Sequence, residues 1–369
     1  MRVLGFMTGT SLDAVDMAVL ETDGETVQGF GPAGERRLTE STRDLLLEAT
    51  AAALDWPRGA AEPEVLGRAA AVVAQEHLAA AEGFLAENGL SWADIDLIGM
   101  HGQTVLHERP LVGVSGRTIQ LGDAVWLAQQ TRAAVAFDFR SADVAAGGQG
   151  APLTPIYHLA RLRASGLAPP VAVLNIGGVA NVTLWLGSDQ VLAFDTGPGN
   201  GMIDLLMQAR TDRRFDDGGR MARAGRVDAD VLQALLAHPY FQAPPPKSLD
   251  RYDFPLSSVD GLSLEDAAAT LTAFMAEGVR IAVTGFETPP REVLVAGGGR
   301  HNPEIMRALA ERLPMPVRAC ELHGWRGDAI EAEAFAFLAA RTLRGLPITF
   351  PSTTGVEKPL TGGRIVRPV

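Results

Sequence analysis

Short apolar runs alternate with longer amphipathic stretches along the first part of the chain. The apolar runs predict strands over residues 3–6, 15–21, 96–101 and 133–137. Apolar residues that recur three and four positions apart predict helices over residues 42–54, over residues 64–87, and from a cap at Asp123 to about residue 130. Alternating strands and helices indicate an α/β domain.

A second β-meander begins after the linker-like stretch RASGLAPP, residues 163–170. In VAVLNIGGVANVTLWLGSDQVLAFDTGPGN, glycine-bearing turns separate three apolar strands, in the same order as at the start of the chain. We interpret this as a weak internal duplication that divides the chain into residues 1–166 and 167–369, with the last segment free to pack back on the first domain. Two similar halves that face each other would place both turns at one cleft, where ligand sites tend to form.

The rest of the second half combines an irregular insertion with helices that have clear starts. The insertion covers residues 211–261 and contains short helices. Ser263 begins a long helix with Asp266 in the capping-box position, and Asn302 begins a helix over residues 303–312. A strand is predicted over residues 291–296 and a last helix over residues 328–343.

Composition narrows the class of protein. A chain of 369 residues favours two domains, and a net charge of −12 argues against binding to nucleic acid. No apolar run approaches the length of a membrane span, and the amino terminus is polar too early for a signal peptide. The single cysteine suits a reducing cytoplasm, and the seven histidines show no zinc-ligand spacing. We therefore expect a cytoplasmic enzyme or binding protein that contacts neither membrane nor nucleic acid.

Two small-residue turns are candidates for phosphate binding. GTSLDAVD, residues 9–16, offers backbone N–H groups and hydroxyls that can bind a phosphate without a basic residue, or it is an ordinary turn. NIGGVANVT, residues 175–183, alone favours a plain hairpin, but it repeats the position of the first turn. Two matching turns suit the two ends of a triphosphate.

Other loops follow predicted strands. In VAGGGRHNPE, residues 295–304, a nucleobase or ribose could lie against the glycines, or the loop is only a tight connection. In FDTGPGN, Asp195 ends an apolar strand that TGPGN cannot continue; it is placed either as a general base or as a turn residue. HGQTVLH, residues 101–107, and RSADVAAGGQGAPL, residues 140–153, are further loops that either line a sugar pocket or only connect elements. Glu331 and Glu333 at a helix start are solvated glutamates by default.

Together these motifs resemble the anhydro-N-acetylmuramic acid kinase family, within the superfamily of sugar kinases, acetate kinases, actin and the large heat-shock ATPases. The resemblance spans nearly the whole chain and depends most on MTGTSLD, GGQGAPL and FDTGPGN. It implies an α/β fold of two duplicated actin-like domains, each with a mixed sheet, around a nucleotide cleft. The family commonly has glycine where this chain has Ala14, which adds a methyl group near the phosphates.

The resemblance also implies substrates and roles. ATP is bound, with Mg²⁺ held mainly through phosphates and water and no dedicated metal ligands. Asp195 activates a water that opens the anhydrosugar, the released O6 is phosphorylated, and Glu331 helps to orient the water. The sugar contacts His101, Gln103, Gly148 and Gly150. The residues assigned to ATP are Gly9, Thr10, Ser11, Leu12, Asp13, Ala14, Val15, Asp16, Asn175, Gly177, Gly178, Asn181, Gly197, Gly297, Gly298, Gly299 and Asn302.

Alternatives remain open at this point. A kinase for a simpler anhydrosugar such as levoglucosan would use the same motifs. An ATPase binding protein of the actin or chaperone type would share the two phosphate turns, but not FDTGPGN or GGQGAPL. The sequence leaves a homodimer possible.

Overall fold

The computed structural model describes residues 1–9, 11–110, 113–249 and 253–368, and divides the chain into two compact units. The first unit is Met1–Arg161 with Ala329–Val369, and the second is Leu162–Asp328. The predicted division at residue 166 differs from this one mainly in the last segment, which belongs to the first unit.

Strands and helices alternate in both units. The strands are β1 (Arg2–Thr8), β2 (Ala14–Thr22), β3 (Val27–Arg37), β4 (Leu97–Glu108), β5 (Arg117–Leu121), β6 (Ala134–Phe137), β7 (Val171–Ile176), β8 (Val179–Gly187), β9 (Gln190–Pro198), β10 (Val293–Ala296), β11 (Val317–Ala319) and β12 (Arg364–Val366). The helices are α1 (Glu40–Leu54), α2 (Glu64–Glu87), α3 (Ala124–Thr131), α4 (Ser141–Ala145), α5 (Pro155–Ala164), α6 (Gly201–Arg210), α7 (Arg220–Ala224), α8 (Ala229–Leu236), α9 (Leu264–Thr284), α10 (Pro303–Arg312) and α11 (Ile330–Leu343).

The two sheets repeat one topology. In the first unit the order is β12–β6–β4–β1–β2–β3, with β5 on β4; in the second it is β11–β10–β7–β8–β9. Each unit has an antiparallel meander, β1–β2–β3 or β7–β8–β9, whose first strand pairs in parallel with the strand that follows the meander. The duplicated α/β fold is therefore confirmed.

Capping residues start the helices where the sequence predicts. The side chains of Asp123, Ser263 and Asn302 accept backbone N–H groups of the first turns of α3, α9 and α10. Each satisfies a donor that has no partner within its own helix. Local sequence is sufficient here because the partner of each cap lies two or three residues away.

Helix α9 forms the centre of the second unit's core. Among the described residues it is the one helix that is long and apolar enough to cross a membrane. The sequence was predicted to contain no apolar run of that length. However, 78% of its most apolar window is buried inside the protein. Phe274, Met275 and Val279 pack there with residues of β7, β8 and β10.

Helix α11 packs directly on the sheet of the first unit. A Cβ atom on Gly5 would lie 1.9 Å from the carbonyl oxygen of Ala332, and one on Gly99 would lie 2.3 Å from that of Phe335. At the other end of the helix, Gly24 approaches the backbone of Arg341. Helix α11 therefore runs antiparallel to β1, and its first turn lies towards the end of β1 at Thr8.

Two predicted loops are strands. HGQTVLH continues β4 to Glu108 because β5 pairs with it there, with Gln103 opposite Leu121. The stretch DTGP continues β9 to Pro198 because β8 pairs with it across a bulge. The predicted strand ends at residues 101 and 195 are therefore wrong, since cross-strand pairing holds residues that would not form a strand by themselves.

Candidate active site

The turn between β1 and β2 contains one buried residue that stabilises it, Leu12. This residue has a φ of 56°, is 6% exposed, and donates its N–H to the carbonyl oxygen of Gly9 at 3.2 Å. It packs in an apolar cluster with Leu46 and Val105. Burial thus holds a non-glycine residue in the left-handed region, with Ser11 and Asp13 exposed beside it. The predicted Thr10 lies outside the described residues.

The strand residues of this motif lie beside the turn. Ala14, Val15 and Asp16 begin β2, and Val15 and Asp16 pair with Thr8 and Met7 of β1. Ala14 is half-buried.

A neutral histidine supports the end of β1. The hydroxyl of Thr8 lies 3.3 Å from Nε2 of His77, whose Nδ1 lies 2.6 Å from the carbonyl oxygen of Val73. Burial lowers the pKa of His77 to about 4, which keeps the ring uncharged at neutral pH. Nδ1–H then donates to Val73, and Nε2 accepts from Thr8. The β1–β4 register places Gln103 next to Thr8.

In the second unit, three glycine loops pack together. The amides of Gly199 and Gly201 donate to the carbonyl oxygen of Gly178, and that of Asn200 donates to Gly177. A Cβ on Gly299 would lie 2.3 Å from the side chain of Ile176. The structure thus brings together the predicted residues 177–178 and 297–299, and Gly197 pairs with Ala180 in the adjoining β8–β9 ladder.

These glycines fall into two classes. A Cβ atom on Gly297 would lie 2.5 Å from Oδ1 of Asn175, and one on Gly199 would lie 2.1 Å from the oxygen of Gly177, so protein packing explains both. A Cβ on Gly298 meets nothing within 4 Å, and one on Gly177 makes only an ordinary contact; neither has a positive φ. Contacts within the protein therefore do not require glycine at 177 or 298. A ligand that lies close to the backbone at these positions would require it.

The asparagines around these loops differ in what they bond. Asn302 caps α10, because its Oδ1 accepts from the amides of Glu304 and Ile305. Asn175 and Asn181 lie opposite each other on β7 and β8. The Oδ1 atoms of Asn181 and Asn200 are buried with no hydrogen-bond partner among the described residues. Asn200, which the sequence analysis did not select, is thus a further candidate to contact a ligand.

Asp195 is fixed by residues of the insertion, between Tyr240 and Leu249. Its Oδ2 accepts the amide of Leu249 at 2.7 Å, its amide donates to the carbonyl oxygen of Lys247 at 2.9 Å, and its carbonyl accepts the Tyr240 hydroxyl at 2.6 Å. The side chain is 6% exposed. Burial lowers the pKa of Lys247, whose ammonium donates to the carbonyl oxygen of Tyr240. The amide of Leu249 therefore holds the carboxylate in place, and Lys247 of the stretch PPPKS, residues 244–248, holds the backbone of Asp195.

His101 is occupied by protein contacts. Nε and Nη2 of Arg140 lie 3.1 and 2.9 Å from its Nε2, and its Nδ1 lies 2.7 Å from the carbonyl oxygen of Gly102. Burial and then the charge of Arg140 hold the pKa of His101 well below its usual value. The imidazole is therefore neutral, with its proton on Nδ1, and acts as an acceptor for Arg140. Sequence reasoning missed Arg140, although it lies in the motif DFRSAD.

Gln103 differs from His101 in having an open acceptor. The residue is fully buried, and its Nε2 donates to the carbonyl oxygen of Thr104 at 3.1 Å. Its Oε1 has no hydrogen-bond partner among the described residues. A buried acceptor of this kind costs free energy unless a ligand or water satisfies it.

Replacing Gln103 with leucine should therefore separate binding from stability. On the sequence prediction that Gln103 contacts the sugar, the variant loses that hydrogen bond, and we expect the KM for the sugar to rise about tenfold or more. Thermal unfolding should stay within a few degrees or improve, since the unsatisfied oxygen is removed. The exposed Gln28 on β3 supplies a control: Gln28→Leu should leave both quantities unchanged. A Gln103→Leu variant with normal sugar KM would remove Gln103 from the site.

The two predicted catalytic carboxylates belong to different units. Asp195 is in the second unit, and the half-buried Glu331 is in the first turn of α11 in the first unit. Glu333 is fully buried and bonds to the Tyr157 hydroxyl and, at 3.2 Å, to Arg161. Glu333 is therefore part of a buried ion pair and not a solvated glutamate as the sequence analysis assumed.

The described residues contain no group of three or more His, Cys, Asp or Glu side chains that could hold a metal ion. Divalent magnesium in kinases is bound through substrate phosphates, waters and one or two carboxylates, which does not require such a group.

Known proteins match this chain over nearly its whole length. Residues 1–368 match the model of the anhydro-N-acetylmuramic acid kinase family. The anhydro-N-acetylmuramic acid kinase of Phenylobacterium zucineum (strain HLK1) is 70% identical over 371 residues, which cover 100% of both chains. That of Caulobacter vibrioides (strain ATCC 19089 / CIP 103742 / CB 15) is 66% identical over 99% of both chains. On this match and these identities, the chain belongs to the anhydro-N-acetylmuramic acid kinase family.

Proposed function

We propose that this protein is an ATP-dependent kinase that opens 1,6-anhydro-N-acetylmuramic acid and phosphorylates O6, giving N-acetylmuramic acid 6-phosphate and ADP in peptidoglycan recycling. The observation that carries the proposal is the family match over residues 1–368, together with 70% identity to a kinase of that name. The buried carboxylate of Asp195 and the open acceptor of Gln103 support it.

The reaction couples two bond changes. Asp195 takes a proton from water as the water oxygen attacks the anomeric carbon, with Glu331 orienting that water. The bond between the anomeric carbon and O6 breaks, and O6 attacks the γ-phosphorus while the β–γ bridging bond breaks to release ADP. Because its Oδ2 accepts the Leu249 amide, the Asp195 carboxylate is held in one orientation for this step.

ATP is assigned to the turns and glycine loops of the two units. We assign the phosphates to the turn that contains Ser11 and Asp13 and to the loop at Gly178, and the nucleoside to the surface without side chains at residues 297–299. Bound Mg²⁺ would offset phosphate charge, held mainly by phosphate oxygens and water. We place the reaction in the cytoplasm and propose small molecules alone as ligands.

Gly298→Ala tests the nucleotide assignment. The new methyl group meets no protein atom within 4 Å, so the melting temperature should stay within a few degrees. It would occupy the surface assigned to ATP, and we expect the KM for ATP to rise about tenfold or more. Gly261, which is also exposed and without neighbours for a Cβ, provides the control Gly261→Ala. Equal ATP kinetics for both variants would contradict the assignment.

The function itself is tested by product analysis in ¹⁸O-labelled water with ATP, Mg²⁺ and a panel of anhydrosugars that includes levoglucosan. Early in the reaction, one solvent oxygen should appear at the anomeric carbon, and none in the phosphoester bridge. A preformed-product control corrects for slow exchange at the anomeric carbon. Label in the bridge, a retained anhydro ring, or ATP turnover independent of any anhydrosugar would each refute the proposal.

A further inference from the structure

The glycine loop at residues 147–150 is built by two buried residues that are far apart in sequence. Asp143 in α4 is 1% exposed, and Thr354 near the carboxyl terminus is 0% exposed. The Thr354 hydroxyl donates to Oδ1 of Asp143 at 2.6 Å. Both residues belong to the first unit.

This pair holds three consecutive amides of the loop. Gly148 donates to the backbone carbonyl of Asp143 at 2.9 Å, and Gly150 donates to Oδ2 of Asp143 at 2.7 Å. Between them, Gln149 donates to the carbonyl oxygen of Thr354 at 2.7 Å. Every amide of residues 148–150 is therefore bonded to Asp143 or Thr354.

The carbonyl side of the loop is linked to β4. Arg140 donates to the carbonyl oxygen of Gly150 at 2.7 Å while it also donates to His101. Nε2 of His107 lies 3.0 Å from the carbonyl oxygen of Gln149. The loop is thus held against the strand that carries Gln103.

Glycine is required within this arrangement. A Cβ on Gly148 would lie 2.2 Å from Oδ2 of Asp143, and one on Gly150, which has a φ of 72°, would lie 2.6 Å from Val144. The carboxylate therefore approaches the loop more closely than any side chain at 148 would permit.

We propose that Asp143 and Thr354 are positioning residues that shape the sugar-binding loop, so that the carboxyl-terminal segment completes the substrate site. This rests on the proposed function, in which Gly148 and Gly150 contact the anhydrosugar. The Thr354 hydroxyl satisfies one oxygen of a buried carboxylate whose other oxygen holds Gly150. Loss of that hydroxyl leaves Oδ1 of Asp143 without this donor, so the carboxylate holds the amide of Gly150 less firmly.

The test compares Thr354→Val, which is nearly isosteric but has no hydroxyl, with Thr354→Ser, which keeps it. Thr353 supplies the matched control, because it is 2% exposed in the same segment and its hydroxyl bonds locally to the backbone of Phe350. We expect Thr354→Val to raise the sugar KM about tenfold and to change the ATP KM less than about twofold. Thr354→Ser should restore the sugar KM, and Thr353→Val should resemble the parent protein.

Amide hydrogen exchange of residues 148–150 gives a readout independent of catalysis. Faster exchange in Thr354→Val than in Thr353→Val is expected. Normal sugar KM in Thr354→Val, or equal effects of Thr354→Val and Thr353→Val, would overturn the proposal. If the parent protein does not phosphorylate the anhydrosugar, the proposed function fails, and the exchange comparison still decides whether the pair braces the loop. If Thr354→Val does not fold, Thr354→Ala, which admits water to the carboxylate, replaces it in the same comparisons.

Discussion

Asp195→Asn is expected to lower kcat about 10²–10⁴-fold, the range in which general bases contribute. Asparagine keeps the volume of the side chain, and its oxygen can still accept the Leu249 amide that Oδ2 accepts now. The substitution therefore removes basicity and leaves the anchoring contact. Steady-state kinetics with the anhydrosugar measure the loss, and ATP affinity should change little, since the amide replaces one polar group by another.

The matched control is Asp189→Asn, in the turn between β8 and β9, where the carboxylate is 89% exposed. Its kcat should equal that of the parent protein. Circular dichroism and melting temperature establish that both variants are folded. A folded Asp195→Asn variant with near-normal turnover would show that another group takes the proton.

Gly5→Ala is expected to destabilise the protein by about 3 kcal/mol or more, at or beyond the upper range for overpacking. The new Cβ would lie 1.9 Å from the carbonyl oxygen of Ala332 and 2.7 Å from the amide nitrogen of Ala336. Both are backbone atoms of α11, so no side-chain rotation relieves the clash and the helix must move. The melting temperature should fall by roughly 6–12 °C. Since Glu331, which we propose to orient the water, lies in the first turn of α11, kcat should fall as well.

Gly67→Ala provides the opposite expectation. Gly67 lies within α2, and a Cβ there would have no neighbour within 4 Å. Replacing a helical glycine with alanine should stabilise the protein by about 0.5–1 kcal/mol and leave kcat unchanged.

If Gly5→Ala melts at the parent temperature, the close packing of α11 on β1 is wrong.

The local elements of this protein follow from sequence alone. Apolar periodicity and the caps at Asp123, Ser263 and Asn302 locate α3, α9 and α10, because these signals act over a few residues. The repeated order of strand and turn predicts the duplicated topology of the two sheets. The motifs predict the family, since they record chemistry and not only structure.

Candidate residues could be selected from the sequence, but their burial and their hydrogen-bond partners could not be predicted from it. His101 and Gln103 are two positions apart in one motif, yet their contacts differ. Arg140 donates to Nε2 of His101, while Oε1 of Gln103 has no hydrogen-bond partner among the described residues. Glu331 and Glu333 share the start of one helix, but only Glu333 is fully buried, in an ion pair with Arg161. Each difference comes from residues distant in the chain.

Spacing, capping and motif composition are local properties, and they were therefore sufficient to predict most of the helices and strands, the duplication and the family. Only the folded chain shows that β9 continues past Asp195, that the amide of Leu249 binds its carboxylate, and that α11 belongs to the first unit. It also placed Thr354 against Asp143. Pairing between strands, burial and contacts between distant segments depend on the folded chain, and no local pattern of residues encodes them.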